Sequence, residues 1–124
     1  MRHTLIISGR LDNLNDYIRA IDANRHEGSK LKKKNQNKVI AEIYEQLGRL
    51  RIKKPVIIRY RWYEKDRRRD LDNISSFGRK VIQDALVSTR VIENDGWKEI
   101  RGFSDEFYID QKNPRIEVEI EVIE

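Results

Sequence analysis

The sequence predicts an α+β fold: one domain in which a small mixed β-sheet packs with about three α-helices. Three observations carry this. Short β-branched or alternating runs at 4–9, 55–63 and 116–122 have the character of strands. Apolar residues repeat at helical spacing in three other stretches, beginning near 14, 29 and 73. A chain of 124 residues fills one modest core, not two.

Thr4-Leu5-Ile6-Ile7-Ser8-Gly9 reads as a strand stopped by glycine. Asp12 or Asn13 is placed to cap a helix whose Leu14, Tyr17, Ile18 and Ile21 fall at i, i+3, i+4 and i+7. Asn24 to Gly28 reads as a break. Ser29 then opens a longer helix to about Leu50, with Val39, Ile40, Ile43, Leu47 and Leu50 on its apolar face. The start of that helix holds Lys30, Lys32, Lys33, Lys34 and Lys38, with Asn35, Gln36 and Asn37 among them. Cations in a first turn oppose the helix dipole. The segment is therefore either a solvated helix end or an arm that orders on nucleic acid.

Pro55 begins a strand through Tyr63. Val56, Ile58, Tyr60 and Trp62 face one way, while Ile57, Arg59, Arg61 and Tyr63 form a second, cationic face that would lie against nucleic acid or against water. Trp62 reads as a core residue rather than a stacking platform. A third helix runs from about Asn73 to Val87 with Ile74, Phe77, Val81 and Ala85 inward. Val91-Ile92 and Lys98 to Phe103 read as short extended pieces around a turn at Asn94-Asp95-Gly96. Ser104 to Pro114 reads as a polar loop with a short strand at Phe107-Tyr108-Ile109. Finally, Ile116, Val118, Ile120 and Val122 alternate with Glu117, Glu119 and Glu121, a pattern expected to protect a sheet edge.

Apolar and charged residues each make up 38% of the chain, which predicts a thin core, a charged surface and a subunit interface that completes burial. The formal charge of +5 points to an acidic partner, nucleic acid first. The absence of cysteine excludes disulfides and thiolate metal sites. No apolar run approaches the roughly 18 residues of a membrane span, and no signal-peptide core opens the chain, so a soluble, cytoplasmic protein is expected.

The chemistry concentrates in Arg67-Arg68-Arg69-Asp70-Leu71-Asp72-Asn73, followed by Lys80, Asp84 and Glu93-Asn94-Asp95. In extended chain, Asp70 and Asp72 would project from one side with Cα atoms about 6–7 Å apart, close enough to share a hard cation. The helix after them would end about 24 Å away. A fully extended return from Ser88 covers about 23 Å, just enough to bring Asp95 back to them. The alternative is a site completed by a neighbouring subunit. Lys80 would lie about 12 Å from Asp72 and lean toward it, whereas Asp84, at about 18 Å, reads as a partner of Lys80.

Each residue also has an ordinary explanation: a helix cap for Asp72, a turn for Asp95-Gly96, a solvated helix lysine for Lys80. The residues alone thus leave open a metal-dependent phosphodiesterase and a nucleic-acid-binding module without chemistry. In the second, Arg67, Arg68, Arg69 and the lysine arm would supply the affinity. A third reading is an assembly protein joined through its glutamate strand and lysine helix.

Arg69-Asp70-Leu71-Asp72-Asn73, Arg79-Lys80-Val81-Ile82-Gln83-Asp84-Ala85-Leu86 and Glu93-Asn94-Asp95-Gly96-Trp97, in that order, resemble the RusA family of Holliday junction resolvases. Ile7-Ser8-Gly9-Arg10-Leu11, Asn15-Asp16-Tyr17-Ile18 and the closing Pro114 to Ile120 are similar to its phage-type branch, so the likeness spans nearly the whole chain. It implies one endodeoxyribonuclease domain over residues 1–124, bacterial or phage-encoded, acting as a homodimer on four-way DNA junctions in recombination and repair. The dimer would cut by paired, symmetric nicks. Asp70, Asp72 and Asp95 would be catalytic and would hold Mg²⁺, with Mn²⁺ a substitute, and Lys80 would be the essential lysine. The stretch Ser75 to Arg79 is longer here than in the founding enzyme, which makes Arg79 a second candidate for that role. The DNA contacts would fall to Arg67, Arg68, Arg69, Arg79, Lys32, Lys33 and Lys34.

Overall fold

A computed structural model describes all 124 residues. The elements run β1 (Arg2–Ser8), α1 (Leu14–Ala23), α2 (Arg25–Leu47), β2 (Val56–Glu64), α3 (Leu71–Ser88), β3 (Ile100–Ile109) and β4 (Arg115–Val122). The four strands form one mixed sheet in the order β1-β4-β2-β3. β4 pairs antiparallel with β1 and β2, and β2 pairs parallel with β3. The predicted small α+β domain with three helices and a mixed sheet is the one observed. No helix is long and apolar enough to cross a membrane.

One face of the sheet carries the core. Leu5 and Ile7 of β1, Val56, Ile58, Tyr60 and Trp62 of β2, and Ile116, Val118 and Ile120 of β4 are all buried. Against them pack Val39 and Ile43 of α2 and Val81, Ile82, Ala85 and Leu86 of α3. The alternation in β2 and the 3.6-residue period in α3 place these side chains on one side of their elements, so burial follows from local pattern. Gly78 lets α3 approach closely: a Cβ there would lie 2.8 Å from two ring atoms of Trp62.

Five expectations are corrected. α2 begins at Arg25 rather than Ser29, because Asn24 accepts the Glu27 amide as its N-cap while its own N–H closes α1 on Ala20. Gly28 is therefore no break. It sits inside α2 where a Cβ would come 2.7 Å from Ile21 Cγ1, so it marks a close helix crossing. The lysines then fall beyond the first turn, and the dipole argument for a frayed arm does not apply to them.

The glutamate strand is not an edge. β4 is central, and its outward glutamates face arginines of its neighbours: Arg59 lies 2.6 Å from Glu121 and 3.2 Å from Glu119, and Arg61 lies 3.3 Å from Glu119. Residues 104–109 likewise continue one ten-residue strand, β3, instead of forming a polar loop.

Candidate active site

The loop from β2 into α3 builds the first half of the site. Asp70 is the N-cap of α3, in extended conformation (φ −68°, ψ 148°), and its side chain makes no capping hydrogen bond. Asp72 lies in the first helical turn. The pair is thus split between an extended and a helical residue, not held on one strand. Both are exposed at the N-terminal end of the helix.

Two of the adjacent arginines have acidic neighbours, and only Arg69 is tied up by its contacts. Arg68 is exposed and lies 3.8 Å from Asp66. Arg69 turns inward, donating to the Leu11 carbonyl at 2.8 Å and lying 3.6 Å from Glu64. Burial pulls the Arg69 guanidinium below its usual value, with Glu64 opposing the shift. Its Nε is buried without a partner.

Glu64 is the acid that pattern reading missed. It is only 5% exposed, and Arg10 meets its carboxylate at 3.3 Å. Arg10 and Arg69 thus clamp one buried carboxylate at the end of β2 and tie the loop before Asp70 to the loop before α1. The alternation of β2, carried one step past Trp62, points Glu64 inward, so the signal was present.

The second half lies two turns along α3. Lys80 Nζ is 3.0 Å from Asp84 Oδ1 and 3.2 Å from Asp95 Oδ2. The hydrogen bonds it donates to Asp84, then to Asp95, raise its affinity for the proton, so it is an ammonium throughout the neutral range. Lys80 is turned to Asp84 and Asp95 rather than toward Asp72. Asp84 also receives Lys32 at 3.3 Å and Gln36 at 3.4 Å, which binds α2 to α3.

The structure does not bring Asp95 to Asp70 and Asp72 within one chain. No group of three or more His, Cys, Asp or Glu side chains is placed to hold a metal ion. The connection after α3 is not extended. Val91 and Ile92 donate back to Leu86, Arg90 adopts φ 65°, and Val91 and Ile92 are buried, so much of the reach is spent in closing the helix. A single protomer therefore does not fit a divalent cation.

The basic residues divide into engaged and open. Arg79 donates to Asp105 at 2.5 Å and stacks over Phe103, and the same carboxylate receives Trp62 Nε1 at 2.9 Å. Lys34 lies 3.5 Å from Asp12. Arg67 and Lys33 are exposed.

The family model described as Endodeoxyribonuclease RusA matches residues 12–121. That span takes in both halves of the site. No individual curated protein matches the chain. A basic chain carrying these split carboxylates, matched over nearly its whole length, belongs to the RusA endodeoxyribonuclease family.

Proposed function

We propose that the protein is a Mg²⁺-dependent endonuclease that resolves four-way DNA junctions as a homodimer, with each site shared between two copies. One observation carries this reading: Asp70 and Asp72 stand at one end of α3, while Asp95 is held at Lys80, about 12 Å along the helix from Asp72. The acids are present, but two copies are needed to gather them. An isologous dimer carries two such sites about its axis, which matches the two-fold symmetry of a four-way junction and the pairing of its nicks.

In that assembly Asp70 and Asp72, with Asp95 of the partner subunit, would hold the cation. Oxygen ligands alone suit Mg²⁺, and Mn²⁺ accepts the same set. A cation held there would supply Lewis-acid stabilisation of charge on the phosphate. Lys80, permanently cationic, offsets charge beside it. Arg67, Arg68 and Lys33 grip the backbone from the exposed surface, and bacterial or phage DNA processing in the cytoplasm is the setting.

The test is a mobile four-way junction and a plain duplex, each incubated with the protein with and without Mg²⁺. Paired nicks in the junction alone, only with the metal, are expected. Tight, salt-sensitive binding that ignores Mg²⁺ and leaves both substrates intact would instead select a binding module without chemistry.

A further inference from the structure

Trp97 has no role in the reading above, yet its side chain stands almost free. It is 96% exposed, two residues after Asp95, flanked by Gly96 and Lys98. An indole in water forgoes one of the largest apolar burials a side chain can make. At the other end of the sheet is a cleft of about 520 Å³ beside Asp70, with Leu71, Ile74, Phe107, Tyr108 and Ile109 on its walls. Leu71 is 57% exposed and Ile109 49%. The cleft is large enough for an indole, and it adjoins one of the carboxylates that lack a third.

The topology links the two features. β3 is an edge strand, hydrogen-bonded on one side only, and at ten residues it is long for an unprotected edge. Trp97 precedes its first residue, and Tyr108 and Ile109 close it. A two-fold axis across the middle of β3 would pair it antiparallel with its copy and exchange those ends. The turn of one copy then meets the cleft of the other.

We propose that Trp97 anchors a second copy of this chain by seating in the apolar cleft beside the partner's Asp70, and that this contact delivers Asp95 to the shared site. The proposal rests on the shared-site reading and names the surface that makes it. One symmetric operation covers the indole and Leu71, pairs the open edge of β3, and gathers the acids.

Sedimentation of the DNA-free, metal-free protein over a dilution series tests it. Trp97→Ala is expected to weaken dimerisation about 30-fold or more, as a buried aromatic anchor does. Leu71→Arg, on the opposite side of the contact, should do the same. Both positions are exposed in the protomer, so far-UV circular dichroism of both variants should match the parent. Acrylamide should quench Trp97 emission on dilution but not in the dimer, with buried Trp62 silent in both.

A dimer unchanged by Trp97→Ala, or a parent that stays monomeric, overturns the proposal. So does a Trp97→Ala dimer that loses only junction affinity, which would give the indole to a DNA base. Because the measurement uses neither DNA nor metal, a dimer that depends on Trp97 but cuts no junction would reject the nuclease reading and leave the anchor standing.

Discussion

Lys80 Nζ sits 3.2 Å from Asp95 Oδ2, and the same ammonium is 3.0 Å from Asp84 Oδ1. One cation thus bridges the third helix to the turn before β3 and fixes where Asp95 stands relative to Asp70 and Asp72.

Replacing that cation should cost chemistry rather than stability. The Lys80 side chain is 57% exposed, so Lys80→Met is expected to leave the unfolding free energy within about 0.5 kcal/mol of the parent. Junction cleavage should fall by about 10²–10³-fold if the ammonium stabilises charge at the phosphate. Single-turnover cleavage beside urea unfolding of the same preparation separates the two. An unfolding loss as large as the kinetic one would reduce Lys80 to a brace.

A shared site makes two dead enzymes repair each other. Asp72→Asn and Asp95→Asn should each abolish cleavage when assayed alone. Mixed and allowed to exchange subunits, they form heterodimers in which one site receives both intact acids. Statistical exchange should restore about a quarter of the parent's sites, seen as single nicks rather than paired cuts. A mixture as inactive as its components would confine each site to one chain.

Gly78→Ala pits helix propensity against packing. Alanine is favoured in a helix interior by about 1 kcal/mol. The added methyl would sit 2.8 Å from the Trp62 ring, which is 1% exposed and bonded to Asp105. Overpacking of that kind costs about 1–3 kcal/mol, so a net loss of about 1 kcal/mol is expected in urea titration. A stabilised variant would mean that the ring moves freely.

Acid should weaken the sheet's outer face. A hydrogen bond from Arg59 holds the Glu121 carboxyl below its ordinary 4.5, and one from Arg115 holds Asp110 below 3.8. Groups whose folded values are depressed bind more protons when unfolded. Their stabilisation is complete above the ordinary values and is lost as pH falls through the folded ones. The melting temperature should therefore decline below about pH 4.5. Glu121→Gln should melt below the parent at neutral pH and converge with it in acid.

Much of the fold was legible because its signals are local. The alternation of Val56 to Trp62 and the spacing of Ile74, Phe77, Val81 and Ala85 each specify a buried face without reference to the rest of the chain. What failed depended on neighbours. Glu117, Glu119 and Glu121 mimic an edge until Arg59 and Arg61 are known to lie alongside. Gly28 mimics a break until Ile21 is known to cross it.

The site divides in the same way. Asp70, Asp72, Lys80 and Asp95 stood out by residue type and spacing, and the Lys80–Asp84 contact follows from helical geometry. The path of residues 89–99 did not, because its length allows an extended return while the burial of Val91 and Ile92 imposes a compact one.

The outer face of the sheet has a consequence for how a polyanion sees the molecule. Arg2, Arg59, Arg61 and Arg115 meet Glu106, Glu117, Glu119 and Glu121 there, four positive charges against four negative. That surface is electrically mute, and the whole surplus of +5 resides on the remainder of the molecule. The long-range field is therefore lopsided, weakest over the outer face of the sheet.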